Sequence, residues 1–149
     1  MKKLKVAIIG QGRSGRDIHG AYFRSEEGRA LYDVVAVAET IDARRARAAE
    51  EYGCDVTADY REILKRPDVD VVVNSTFSCL HYPVTMDALH HGKNVVSEKP
   101  FSKYAMECED MIRTAKENGV TIYHSSPLPS SDISMYRCGF ASVLIYQCS

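Results

Sequence analysis

Apolar positions recur in short blocks along the first 123 residues, each closed by glycine, proline or a polar run. Lys5-Val6-Ala7-Ile8-Ile9-Gly10 is almost continuously apolar, rich in β-branched residues and ended by glycine, which predicts a parallel strand buried on both faces. Residues 34–38, 69–74 and 94–97 repeat that pattern, and weaker versions at 55–57 and 120–123 bring the number of predicted strands to six. Between the strands the period lengthens. Ile18, Ala21 and Tyr22 predict an amphipathic helix over 16–25, packed on the first strand. Alanines 43, 46 and 49 predict a small-residue face on a second helix, with Asp42 as its N-cap and Gly53 as its left-handed stop after Tyr52. A short helix is expected over 60–65, before Pro67-Asp68 resets the chain. Leu80, Val84 and Ala88 mark one face of a helix with Pro83 in its first turn and Gly92 at its end. Ala105, Cys108, Ile112 and Ala115 mark the buried stripe of a long helix capped by Ser102 and stopped by Gly119. Strands alternating with helices imply an α/β domain, and right-handed crossovers favour a doubly wound parallel sheet, the Rossmann fold, in the strand order 3-2-1-4-5-6.

The pattern breaks near residue 124. Seven of the last 26 residues are serine, against six in the preceding 123, and only Asp132 and Arg137 are charged there. The chain therefore divides into a domain over 1–123 and a serine-rich tail over 124–149, in which 125–131 reads as linker and 140–146 as one further strand.

Composition narrows the function. A chain of 149 residues, 45% hydrophobic and 26% charged, has the make-up of one soluble domain. A formal net charge of -1 supplies no global field for holding nucleic acid or an anionic membrane. Five cysteines without Cys-x-x-Cys spacing argue against a disulfide framework or a structural zinc site, no metal site is expected, and a reducing cytoplasm fits best. The apolar stretch from Leu4 to Ile9 is too short for a signal peptide, and no segment is long enough to span a membrane.

Gly10-Gln11-Gly12-Arg13-Ser14-Gly15 has the glycine spacing of a dinucleotide-binding turn and lies where one should, after a strand and before a helix. Gly10 would make the turn, Gly12 would let the backbone approach a pyrophosphate, and Gly15 would let helix and strand pack closely. The amides of Arg13 and Ser14 would point at phosphate at the positive end of the helix dipole. Glu39, at the end of the second strand and 24 residues beyond Gly15, could accept hydrogen bonds from both ribose hydroxyls of an adenosine and would repel a 2'-phosphate. NAD is therefore the expected cofactor. NADP stays open because Arg44 and Arg45 follow closely, although a solvated helix face explains them as well. Two further segments, Asn74 to His81 and Ser97-Glu98-Lys99-Pro100, follow strands at the carboxyl edge of the sheet, where ligands of open α/β sheets bind. His19 reads as structural or near the phosphates. His90-His91 suits a helix C-terminus, and Cys79 has no paired base in the sequence.

By these motifs the chain resembles the glucose-fructose oxidoreductase and inositol dehydrogenase family, Gfo/Idh/MocA, over residues 4 to about 123. The most specific piece is Gly92-Lys93-Asn94-Val95-Val96 followed by Glu98-Lys99-Pro100. The resemblance implies that Lys99 is the active-site lysine, which bonds the substrate hydroxyl and helps its proton leave as hydride moves to the nicotinamide. It implies that Glu98 contacts the nicotinamide ribose or orients the site, and that Thr76 and His81 lie near the nicotinamide half of the cofactor. Phe77 departs from the family's usual proline, and Lys99-Pro100 becomes a candidate cis peptide.

The implied activity is NAD(P)-dependent oxidation or reduction at a sugar or cyclitol hydroxyl. Family enzymes carry a second α+β domain for substrate and oligomer contacts, and residues 124–149 do not match it, so a chain truncated before that domain is expected. The alternative is a dinucleotide-binding module without turnover. A redox-sensing regulator would need a DNA- or partner-binding element, and none is found. An apolar surface left by a missing domain would favour a homo-oligomer.

Overall fold

The computed structural model describes residues 2–124. Expectations for the tail, including the strand at 140–146, lie outside the described residues. Six strands form one parallel sheet in the order β3-β2-β1-β4-β5-β6: β1 (Leu4–Ile9), β2 (Tyr32–Ala38), β3 (Asp55–Thr57), β4 (Val71–Asn74), β5 (Asn94–Ser97) and β6 (Ile122–His124). This is the order expected from the sequence. Alternate side chains of the central strands feed two cores. Ala7, Ile9, Val72 and Val95 face α4 (Tyr60–Leu64), α5 (His81–His90) and α6 (Ala105–Glu117), whereas Val6, Ile8, Val71, Val73 and Val96 face α1 (Gly20–Arg24) and α3 (Asp42–Tyr52). Each such valine or isoleucine side chain contributes about 1.5–3 kcal/mol by leaving water. That two-sided burial explains why the strands are apolar without alternation.

The helices differ from expectation in which face they bury. The segment after the glycine turn begins as a π-helix, Arg13–His19, before continuing as α1. The wider turn rotates the register, so His19, Tyr22 and Phe23 are buried while Ile18 is 44% exposed and Ala21 also faces outward. A further helix, α2 (Glu26–Leu31), follows where none was expected; Ser25 caps it by accepting from the Gly28 amide at 3.1 Å.

In α3 the buried residue is Ala48, not the face of alanines 43, 46 and 49. Asp42 is its first helical residue rather than its cap. The cap position is Ile41, whose amide is taken by the Glu39 carboxylate at 2.9 Å. In α5, Leu80 lies in a preceding 3-10 turn (Ser78–Leu80) and is 43% exposed. In α6, Met111, Thr114 and Ala115 form the buried stripe, and Ala105 and Ile112 are exposed. Ser102 stands two residues before the cap position of α6, Tyr104, where its hydroxyl accepts from the Tyr104 amide and bonds Glu107. Gly53, Gly92 and Gly119 do end their helices in left-handed conformation.

The amino edge of the sheet is closed by polar ties. Lys93 is buried, its ammonium donating to the carbonyls of Arg66 at 2.5 Å and Val69 at 3.1 Å, and burial lowers its pKa. Beside it the Arg66 guanidinium donates twice to Asp68, both at 3.0 Å, and with Lys5 holds that carboxyl down to about 2 from 3.8. A carboxyl with a depressed folded pKa stabilises the fold above its unfolded pKa and loses that contribution as pH falls through the folded value. Asp68→Asn is therefore expected to be less stable than wild type above about pH 4, with the gap closing toward pH 2. Urea melts followed by circular dichroism across that range measure it, and a gap independent of pH would disprove the assignment.

Candidate functional site

The chain leaves β1 for β2 on one side of the sheet, while β4 lies on the other side of β1, so the crevice between the carboxyl ends of β1 and β4 is the topological switch point. The glycine turn occupies it. Gly10 has φ +94°, and a Cβ there would lie 2.5 Å from the Ser75 carbonyl oxygen, so only glycine fits. At Gly15 a Cβ would lie 2.0 Å from the Gly10 carbonyl oxygen, which is the close helix-to-strand approach expected of the third glycine. Gly12 differs from both. It has an ordinary extended conformation, φ -72° and ψ -162°, and a Cβ there would meet nothing nearer than the Arg44 guanidinium at 4.0 Å. Its exposed side is open, as approach by a phosphate chain requires. Arg13 is exposed and Ser14 half-buried beside it.

The sheet ladder runs one residue past the strands and fixes these loops to one another. Gly10 donates to Ala38, Ser75 to Ile9, Glu39 to Thr57 and Glu98 to Asn74, at 2.8 to 3.0 Å. Glu39 is buried; its Oε2 accepts from the Gln11 amide at 2.8 Å, so the carboxylate at the end of β2 is bonded directly to the glycine turn. Of the two arginines that follow, Arg45 turns away to the Glu39 carbonyl and Asp42, both at 2.6 Å. Arg44 remains half-exposed, 4.0 Å from the Glu39 carboxylate and facing Gly12.

Across the crevice, fully buried Asn74 organises the second loop. Its Oδ1 accepts from the Thr76 hydroxyl at 2.7 Å, and its Nδ2 donates to the His81 carbonyl and the Thr85 hydroxyl. His81, 1% exposed, ties two loops together, with Nδ1 2.7 Å from the Pro100 carbonyl and Nε2 3.1 Å from that of Thr76. Phe77 projects from this loop, 78% exposed. Glu98 is buried, and its Oε2 accepts from the Lys99 amide at 3.2 Å. Lys99 itself is exposed and is joined to Pro100 by a cis peptide bond, as the sequence suggested. The glycine-lysine and glutamate-lysine-proline motifs thus sit at opposite ends of β5, and Lys93 is structural.

Two buried polar atoms in this crevice have no partner, the Gln11 side-chain oxygen and the Ser75 hydroxyl. Unsatisfied polar groups are costly, and here they flank the turn that a ligand would cover. With the open Gly12 face, they fit a dinucleotide. Asn74 was expected in the site loop, but its hydrogen bonds to Thr76, His81 and Thr85 and the pairing of Glu98 with His19 were not. Asn74 had a signal, because an amide side chain ending an otherwise apolar strand must find partners. Among the described residues no cluster of His, Cys, Asp or Glu could hold a metal, no helix is long and apolar enough to cross a membrane, and Cys54 and Cys79 are free thiols.

A family model described as oxidoreductase family, NAD-binding Rossmann fold, matches residues 4–125. The chain is 35% identical over 120 residues to a 2,7-anhydro-N-acetylneuraminate hydratase from Mediterraneibacter gnavus, covering 80% of this chain and 30% of that protein. It is 32% identical over 125 residues to a scyllo-inositol 2-dehydrogenase (NADP(+)) from Bacillus subtilis, covering 82% and 33%. Among solved structures, a 3-ketoreductase from Actinomadura kijaniata in complex with NADP superposes with a TM-score of 0.77 at 27% identity, over 83% of this chain and 39% of the other. The chain spans about a third of the length of the curated relatives it matches.

Proposed function

We propose, on the premise that this chain belongs to the Gfo/Idh/MocA oxidoreductase family through its NAD-binding Rossmann fold, that it forms the cofactor half of an enzyme oxidising or reducing a sugar or cyclitol hydroxyl. The observation that carries this is the bond from the Gln11 amide to Glu39 beside the open face of Gly12. The open backbone at Gly12 adjoins a carboxylate fixed to receive a ribose. Gly10, Gly12 and Gly15, with the amides of Arg13 and Ser14, hold the pyrophosphate. Glu39 takes the adenosine ribose through the lone pairs that its two amide bonds leave over. Thr76 and Glu98 border the nicotinamide end, and His81 acts by holding the loops rather than by touching the cofactor.

The bound nicotinamide supplies the hydride chemistry. Lys99 supplies the proton handling: as an ammonium it polarises the substrate oxygen and donates a proton to it in the reducing direction, and as the neutral amine it accepts the hydroxyl proton in the oxidising direction. Buried Glu98 beside it orients the Lys99 backbone. The unit ends near residue 123 and works in a reducing cytoplasm.

Titration calorimetry with NAD and NADP tests this reading. Saturable NAD binding is expected, with NADP weaker because Glu39 repels a 2'-phosphate. Binding of neither nucleotide to the folded chain would overturn the reading. Arg44, facing both Gly12 and the Glu39 carboxylate, supports a second reading in which NADP is also accepted; equal affinities that separate in Arg44→Ala would establish it. In the isolated chain, binding with little or no turnover is expected, because among the described residues nothing beyond the sheet edge positions a substrate.

A further inference from the structure

Beneath the nicotinamide end lies a contact that the proposed function does not use. His19 is 1% exposed, and its Nε2 lies 2.5 Å from Oε1 of Glu98, which is also buried. The two residues are 79 positions apart, and because an ionised carboxylate can only accept, the tautomer with its proton on Nε2 makes this bond.

The direction of His19 comes from the π-helical turn. The Gly20 amide donates to the Gly15 carbonyl, five residues back, where an α-helix would use the amide of His19. One extra residue in the turn rotates the succeeding helix by about 100°. The wide turn is wedged from two sides: Gly15 lies against the Gly10 carbonyl, and a Cβ at Gly20 would come within 2.1 Å of the Tyr52 hydroxyl. Its result is an imidazole aimed under the end of β5. A buried carboxylate needs such a donor, and Glu98 has His19 on Oε1 and the Lys99 amide on Oε2.

We propose that His19 is a positioning residue, fixing the Glu98 carboxylate and through it the backbone of Lys99. The segment that opens at the phosphate-binding turn thereby also sets the nicotinamide end of the site. This rests on the dinucleotide reading above, and its test separates the two. The chain, His19→Ala and His19→Gln are titrated with NAD and with ADP-ribose, which lacks the nicotinamide, and exchange of the Lys99 amide proton is followed in the ligand-free proteins.

Loss of a hydrogen bond to a charged group is expected to weaken NAD about tenfold in His19→Ala while ADP-ribose stays within about twofold. The Lys99 amide should exchange about tenfold faster, and His19→Gln, which keeps an N–H donor, should recover part of both effects. If His19→Ala melts too low for titration, His19→Leu refills the volume without a donor and serves the same comparison. Equal weakening of both ligands, or unchanged NAD affinity with unchanged Lys99 exchange, would overturn the proposal. If the wild-type chain binds neither ligand, the dinucleotide reading falls, while Lys99 exchange in the ligand-free variants still decides whether His19 positions the loop.

Discussion

A single methyl group at Gly15 is expected to cost this chain most of its stability. The Cβ of Gly15→Ala would sit 2.0 Å from the carbonyl oxygen and 3.0 Å from the carbonyl carbon of Gly10, so the obstruction is backbone and cannot swing aside. Gly10 cannot retreat either, because it lies against the Ser75 carbonyl and is held by its own hydrogen bond to Ala38. Relief requires moving the helical segment off β1, which opens the core around Val6, Ile8, Tyr22 and Phe23. Overpacking against soft side chains costs about 1–3 kcal/mol, and a rigid backbone clash exceeds that. A loss of about 4 kcal/mol or more, and a Tm lower by about 10 °C or more, is the expected result in thermal and urea melts. Gly53→Ala is the control. It forces a side chain onto a left-handed residue, but nothing lies within 4 Å, so only about 1 kcal/mol should be lost. Equal melts for the two variants would show that the approach of Gly15 to Gly10 is not tight.

Gly12→Val should produce the opposite separation, an intact fold and no cofactor affinity. The backbone at Gly12 is one that any residue adopts, and its Cβ direction is open to 4.0 Å. Valine there costs less than about 1 kcal/mol. The same side chain fills the space a pyrophosphate would take, so NAD affinity should fall by at least about a hundredfold, with unchanged circular dichroism. Undiminished binding would mean that the nucleotide does not cross this turn.

Strands and turn glycines were legible in the sequence for one physical reason, that a strand buried on both faces admits little besides β-branched and small apolar residues. The strand order followed, and so did the places of Gly10, Glu39 and Lys99 along one sheet edge. Helix faces were harder. In α3, alanines stand at 43, 46, 48 and 49, and spacing alone cannot choose Ala48 over the others. In α6, Met111 carries the stripe that Ile112 was expected to carry, because both faces are partly apolar at that point. The π-turn is invisible to any rule of fixed period, which is why Ile18 was expected inside and His19 was left open between a structural role and the phosphates. Two roles depended on distant partners. Lys93 and Lys99 look alike beside one strand, and only the carbonyls of Arg66 and Val69 at one end distinguish them.

Pairing of β1 with β4 also fixes when this crevice can exist during synthesis. The polar tie between Lys5 and Asp70, where these strands begin, closes a stretch of 65 residues. Gly10 finds its counterpart at Ser75 only after that closure. A nascent chain that has emerged through β3 can bond β1 to β2 and present the glycine turn, but the turn then has no wall on its other side. Closing so long a loop is the slow kind of step in folding. Until β4 has emerged one flank of β1 therefore stays unpaired, and that is the interval in which a chaperone or a neighbouring chain could meet it.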